Sequence, residues 1–354
     1  MSELILKNGL VYTYIDEGFH AIKLRMADVH VKDGAVQDVA PGLHYDCETL
    51  DASGCLVLPG MVNMGASTFA ARIAQGLVCD WARGKSRIAP LLDLAAAILT
   101  QEELKAVAVA GLWDTLAGGA TVVIELCRAA DGSDAGHPFF YRAAPTPIAE
   151  AVLAAGESFG VQVLSACGSE DGGIVVKADK AIGVQAEIVT DSAVACADLG
   201  KPYGGLAAIE KGAMMTIGTG ATSSCMIEEM RATARAVKQH TGDPKRYRAS
   251  DVFYSATVVG GRQLDKCAHG RIGPGFCGNL SVVSMGRFQP LSYPLAQYVY
   301  GASAADVRHV VCGGTVVKRD YRPAPKTQAL LASAWETAGN AIAKLWDEAR
   351  RSIL

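Results

Sequence analysis

The apolar pattern of this chain changes period twice, and that change constrains the fold more than any other feature. At the N-terminal end, short strand-like stretches are broken by dipeptides that accept positive φ. Leu4 to Lys7 stops at Asn8-Gly9 and Ala27 to Lys32 stops at Asp33-Gly34, residue pairs that two-residue hairpin turns favour. The first 57 residues therefore read as a small antiparallel β module. The pattern returns near the other end, where Leu280 to Met285 and Val307 to Cys312 precede Gly313-Gly314 and Thr315 to Lys318. The two ends are expected to build one sheet assembly together.

Between them helix and strand alternate. Thr100-Gln101-Glu102-Glu103 has the residue types of a capping box and opens an Ala- and Leu-rich helix that stops at Gly118-Gly119. Ala120 to Leu126 is then a nearly continuous apolar run rich in β-branched residues, as in a parallel strand buried on both faces. Thr146-Pro147 opens a second helix through Ser158, and Val161 to Ser165 is the strand after it. Leu206 to Lys211 reads as a third helix, Met214 to Thr219 as its strand, and Cys225 to His240 as the next helix. Such βα alternation predicts an α/β barrel or an open parallel sheet. Thr327 to Leu354 carries Leu330, Leu331, Ala334, Trp335, Ala338, Ile342, Leu345 and Trp346 on one recurring stripe, so a long helix is expected there, packed against its own β module.

Charge narrows the partners. With 33 Lys plus Arg against 36 Asp plus Glu, no broad basic field exists, so neither nucleic acid nor an anionic membrane is an expected partner. The opening residues have no basic n-region, and nothing approaches the roughly 18 consecutive apolar residues of a membrane span. A cytoplasmic location is the expectation. Ten cysteines without a CxxC pair suit free thiols in a reducing compartment better than a disulfide framework or a zinc ribbon.

The run Asp51-Ala52-Ser53-Gly54-Cys55-Leu56-Val57-Leu58-Pro59-Gly60-Met61-Val62-Asn63 resembles the entry into the first barrel strand of the amidohydrolase superfamily, in its cytosine-deaminase-like and triazine-hydrolysing branch. Further stretches resemble that family in order: Gly118-Gly119-Ala120-Thr121-Val122-Val123, then Ile217-Gly218-Thr219-Gly220-Ala221-Thr222-Ser223-Ser224, then Arg271-Ile272-Gly273-Pro274-Gly275 through Leu280, and Val307 to Gly314. The resemblance implies a reduced (β/α) TIM-like barrel over 59–269, a composite β-sandwich from residues 1–58 and 270–325, and a C-terminal helix over 326–354. It also implies a divalent metal, held by a His-x-His pair, two further histidines and an Asp, that makes a bound water nucleophilic.

Those ligands are missing. The His-x-His pair falls on Gly65 and Ser67, and the Asp falls on Gly220. Of the seven histidines, only His137 lies in a barrel loop; His20, His30, His44, His269 and His309 fall with the β module, and His240 falls late on a helix. No metal and no other cofactor is expected, because Gly and Ser cannot replace several N or O donors at fixed distance. Only 23 residues separate Cys167 from Asp191, whereas one βαβ unit takes about 30 or more. About three βα units are expected to be absent on that spacing.

Cys127, Cys167, Cys196 and Cys225 fall after predicted strands, at the catalytic face of a barrel, but read first as small buried hydrophobes. Glu125, Glu170, Asp171 and Asp198 are acids near the same face, and loop carboxylates are usually just solvated. The aromatic run Phe139-Phe140-Tyr141 either folds back on the barrel or fills a partner's pocket. The expected function is thus a catalytically degenerate amidohydrolase-like subunit, structural or regulatory, assembling with itself or with a metal-bearing amidohydrolase-family subunit. Not a stable monomer is the corollary, since deleted βα units leave strand edges to cover. The rival is a metal-independent or shared-site hydrolase or deaminase acting on an N-heterocycle or amide C–N bond, with Cys127, Cys167, Cys196, Asp198 and Glu125 as its candidate residues.

Overall fold

The computed structural model describes residues 2–14, 22–74, 84–127, 144–168, 174–177, 189–190, 216–221, 223–265 and 269–352. In chain order the strands are β1 (Glu3–Tyr14), β2 (Ile22–Lys32), β3 (Ala35–Ala40), β4 (Glu48–Asp51), β5 (Cys55–Pro59), β6 (Met61–Ala66), β7 (Ala120–Leu126), β8 (Gln162–Gly168) and β9 (Ile174–Lys177). They continue as β10 (Val189–Thr190), β11 (Thr216–Ile217), β12 (Leu280–Ser284), β13 (Val307–Cys312), β14 (Thr315–Arg319) and β15 (Arg322–Pro323). The helices are α1 (Thr68–Ala74), α2 (Gly84–Ile98), α3 (Gln101–Leu116), α4 (Thr146–Phe159), α5 (Met226–Thr241), α6 (Ala249–Tyr254), α7 (Gly260–Asp265), α8 (Pro294–Gly301) and α9 (Pro325–Ser352). No described helix is long and apolar enough to cross a membrane.

Strands from the two ends share one nine-stranded sheet, in the order β15-β14-β13-β12-β5-β1-β2-β3, with β4 also paired to β1. The ends meet where β5 lies antiparallel to β12, from Leu280 opposite Pro59 to Ser284 opposite Cys55. Asp33-Gly34 and Gly313-Gly314 are tight turns as expected, with φ of 51° and 81° in the first and 52° and 78° in the second. Asn8-Gly9 is not one. β1 runs straight through it, and the dipeptide forms a bulge where the pairing with β2 shifts register. The left-handed φ of Asn8, 62°, turns its N–H to the Asp28 carboxylate, 2.7 Å away, instead of to the ladder. Glycine follows because a Cβ there would lie 2.4 Å from Cγ2 of Val57.

The remaining strands form a mostly parallel wall. β6 pairs with β7 and β7 with β8, all parallel. β10 pairs parallel with β11, and a parallel bridge from Ala66 to Gly220 joins that pair to β6. β9 returns antiparallel against β8, so among the described residues the wall does not close into a ring. The fold is mixed α/β. All of β6 and β7 is buried, as parallel strands covered on both faces must be.

Helices cover the outer side of the wall. The capping box at the start of α3 is complete: Thr100 Oγ1 accepts from the N–H of Glu103 at 3.2 Å, and the Thr100 N–H donates to Oε2 of Glu103 at 2.8 Å. Gly160 closes α4 in the left-handed conformation. The predicted packing of α9 on the β module proves a minor contact, because its apolar stripe lies along α3 instead. Leu331, Ala338, Ala341 and Leu345 of that stripe join the same core as Leu104, Ala108 and Leu112, Lys344 pairs with Glu103 at 3.0 Å, and the Trp346 ring N–H donates to the Ile73 carbonyl. The expected helix over Leu206 to Lys211 lies outside the described residues.

Candidate active site

The C-terminal ends of β6 and β7 and the turn after β11 converge on one spot. The Gly220 N–H donates to the Gly65 carbonyl at 2.8 Å, and the Ser67 N–H donates to the Gly220 carbonyl at 3.1 Å. Gly65, Ser67 and Gly220 are therefore brought together, as the resemblance implies for the positions of metal ligands. One turn of pleat earlier, Asn63 and Thr219 lock the same two strands. The Asn63 amide donates to Thr219 Oγ1 at 2.8 Å and its oxygen accepts the Thr219 N–H at 3.1 Å, with both residues buried. The approach is close: a Cβ on Gly218 would stand 2.6 Å from N and 2.7 Å from O of Gly65.

A divalent ion does not fit these three positions. Gly65 and Gly220 have no side-chain donor, and their carbonyls already accept N–H groups from the neighbouring strand. What remains is the neutral hydroxyl of Ser67, a poor substitute for imidazole or carboxylate.

Glu125 brings a carboxyl to this end. It follows Val122-Val123-Ile124 on β7, opposite Ala66 of β6, and only 1% of its surface is exposed. Oε2 accepts from the N–H of Thr68 at 3.0 Å and from Thr68 Oγ1 at 2.9 Å. Among the described residues, Oε1 is buried without a hydrogen-bond partner, and so is the hydroxyl of Ser67 next to Thr68. Burial pushes the Glu125 carboxyl up to about 7, against the smaller opposing effect of the Thr68 and Phe69 donors. The donors are neutral, so none supplies the opposite charge that would keep the carboxylate ionised.

The other candidates fare differently. Cys127 is buried just past β7, where it bridges to Ala144. Cys167 lies in β8, with its side chain outside the described residues. Cys196 and Asp198 lie outside them altogether, as do His137, Phe139-Phe140-Tyr141, Glu170 and Asp171. Cys225 does not face this end. Its sulfur lies 3.6 Å from where a Cβ of Gly118 would stand, beside the residues that lead into β7 rather than those that follow it. Burial raises its thiol above the ordinary range, so it stays protonated and unreactive. The sequence reading missed Thr68 and the Asn63–Thr219 pair. The signal available for Thr68 was a Ser-Thr dipeptide directly after a strand, the residue types that begin helices.

Residues 203–317 match the Amidohydrolase family. The chain carries this match over about a third of its length. It is similar to the 5'-deoxyadenosine deaminase of Methanothermobacter thermautotrophicus, 35% identical over 118 residues, covering 32% of this chain and 27% of that protein. It is also similar to the 5-methylthioadenosine/S-adenosylhomocysteine deaminase of Pyrococcus horikoshii, 30% identical over 119 residues, 32% of this chain and 28% of that one. Each match thus spans less than a third of the curated relative. Among solved structures, an adenosine deaminase from Xanthomonas campestris with bound zinc superposes with a TM-score of 0.68 at 16% identity, covering 96% of this chain and 98% of that one. An atrazine chlorohydrolase from Arthrobacter aurescens complexed with zinc gives 0.65 at 14% identity, with 95% and 100% covered. At such identities the amidohydrolase-type α/β fold is what is shared.

Proposed function

We infer that this amidohydrolase-family chain hydrolyses or deaminates a C–N bond of a small N-heterocycle or amide, without a metal at Gly65, Ser67 and Gly220. The single observation that carries the reading is Glu125. A carboxyl held near 7 is about half protonated at neutral pH, so it can take a proton from an attacking water and return one to the leaving nitrogen. Oε1 is the oxygen left for that work, since Thr68 occupies Oε2. The Ser67 hydroxyl, equally without a partner, is placed to hydrogen-bond a polar substrate group. Because Glu125 is closed to solvent, turnover requires the packing over it to part as substrate enters. The deaminase names of the relatives support the bond class and suggest aminated purine nucleosides as first substrates.

Ammonium release from 5'-deoxyadenosine, 5-methylthioadenosine and a panel of aminated pyrimidines and triazines tests this. Turnover should show a pH inflection near 7 and fall by about a hundredfold or more in Glu125→Gln, the usual range for losing general acid–base catalysis. Absence of turnover across the panel, or turnover indifferent to Glu125→Gln, would overturn it.

The packing of Gly218 on Gly65 favours a second reading, in which the chain is a catalytically silent subunit, structural or regulatory. Its partner would be a second copy or a metal-bearing amidohydrolase-family chain. Light scattering of the protein alone, and mixed with an intact amidohydrolase, separates the two: a monomer in both cases removes the subunit reading.

A further inference from the structure

We propose a second, separate site: Glu3, His30 and Cys47 bind one borderline divalent cation such as zinc in the nine-stranded sheet, to which β6 and β7 do not belong. The three come from adjacent strands. Glu3 opens β1, His30 lies on β2 opposite Ile5, and Cys47 immediately precedes β4, whose Glu48 pairs with Leu4. Pleat alternation puts Glu3, Ile5 and their partners on one face, and puts Cys47 beside Glu3 on that same face. Their donor atoms lie within 4.8 Å of one another. His30 Nε2 and Glu3 Oε1 stand 2.9 Å apart.

The chemistry of this set differs from that of an ordinary surface ion pair. Imidazole, thiolate and carboxylate are the three ligand types zinc takes, and three protein ligands leave a fourth position for water. Ligands on one tetrahedral zinc stand about 3.5 Å apart, so closing the set needs a shift of about 1 Å. Half-buried Glu3 and Cys47 can make that shift, while His30 is fixed. Only 3% of His30 is exposed, and the Tyr45 ring stacks on it at 3.7 Å between centroids and 11° between planes. Nε2, the ring nitrogen that faces Glu3, is the one placed to bind the ion, while Nδ1 is buried with no hydrogen-bond partner among the described residues.

Charge is consistent with a cation. Glu3 and an ionised Cys47 bring two negative charges, and Lys32, 3.1 Å from the other oxygen of Glu3, offsets one. Without metal, burial and the nearby Glu3 and Asp46 carboxylates keep the Cys47 thiol above its ordinary range. Binding must therefore displace the thiol proton: the S–H bond breaks, the S–metal bond forms, and one proton is released to solvent per ion bound.

Titration of the metal-free full-length protein with Co(II) and then Zn(II) tests the proposal. The expected result is one equivalent bound, with a thiolate-to-cobalt charge-transfer band that zinc abolishes, and a melting temperature that rises with zinc concentration. Cys47→Ser, at a half-buried position that should tolerate the change, loses the band and the zinc-dependent shift. Glu125→Gln keeps both, which separates this site from the proposed active site. A missing band, a band that survives in Cys47→Ser, or stoichiometry that falls in Glu125→Gln would overturn it.

Discussion

Asp28 in the sheet and Glu125 at the end of the parallel wall are both almost completely buried, at 2% and 1% exposed, yet their acidities move in opposite directions. Burial by itself raises both. For Asp28 the N–H of Asn8, the Lys7 ammonium and the N–H of Leu43 outweigh it and hold the carboxyl below its ordinary value. For Glu125 the donors are all uncharged, and burial wins. The number of hydrogen bonds matters less than whether one of them carries the opposite charge. The sheet spends its carboxylate on holding β1, β2 and the Leu43 turn together; the wall leaves its carboxyl poised and half-satisfied, the condition expected where chemistry is done.

Breaking the first half of this contrast should give the largest effect. Asp28→Ala leaves the Asn8 and Leu43 N–H groups and the Lys7 ammonium without their acceptor. It is expected to cost about 4 kcal/mol in urea unfolding, as removal of one partner from a buried ionic network does. A loss below about 1 kcal/mol would mean that water replaces the carboxylate and that the contrast is one of exposure only.

Lys318 extends the contrast to a cation. Its ammonium donates to the carbonyls of Ala117 and Ala304 at 2.9 and 3.0 Å, fastening β14 to the end of α3, and burial lowers it to about 8. Lys318→Met should cost roughly 2 kcal/mol at pH 7 by stranding two carbonyls. The folded-state value lies below the unfolded 10.5, so the unfolded chain holds the proton longer, and wild type should gain stability between pH 8 and 10.5. Denaturation of both proteins across that range measures it; parallel curves would refute the tuned ammonium.

How much of this was legible beforehand follows distance along the chain. The turns at Asp33-Gly34 and Gly313-Gly314 and the cap at Thr100 depend on neighbouring residues, and the sequence announced them. Asn8-Gly9 did not fit because positive φ serves a bulge as well as a turn, and only Val57 and Asp28, far along the chain, decide which. Glu125 was legible as an acid near the strand ends, but it was expected to be a solvated loop carboxylate, whereas it lies buried within β7. Its tuning was not legible, because Thr68 is 57 residues away and becomes a neighbour only when β6 and β7 pair. The convergence of Gly65, Ser67 and Gly220 was legible through the family resemblance alone; nothing in the composition of either segment implies the backbone contact between them.

Glu125→Gln sharpens the second half of the contrast through pH. The folded carboxyl, at about 7, lies above the ordinary 4.5, so ionisation disfavours the folded state: wild-type stability is fully present below pH 4.5, falls as pH rises towards 7, and is flat above. The whole shift corresponds to about 3 kcal/mol. The glutamine amide must find partners of its own, so a gain of about 1 kcal/mol over wild type is expected at pH 8, with little difference at pH 5. Melting temperatures at the two pH values decide it, and a variant equally destabilised at both would show that Glu125 is held as an anion by something the Thr68 contacts do not reveal.

The smallest effect is expected at Ser67, where the same argument applies to a neutral group. Its hydroxyl is buried and has no partner among the described residues, so it contributes a desolvation cost and no compensating bond. Removing such a group is about neutral, or stabilising by less than 1 kcal/mol, whereas removing a bonded buried hydroxyl costs about 1 kcal/mol or more. Ser67→Ala should therefore leave the melting temperature unchanged or slightly higher. If the hydroxyl is kept to meet a substrate, the same variant should raise KM or lower kcat while stability does not fall, the trade expected where a site is left unsatisfied for function. A clear loss of stability would mean that Ser67 already has a partner in the folded protein, and that this end of the wall is as fully paired as the sheet around Asp28.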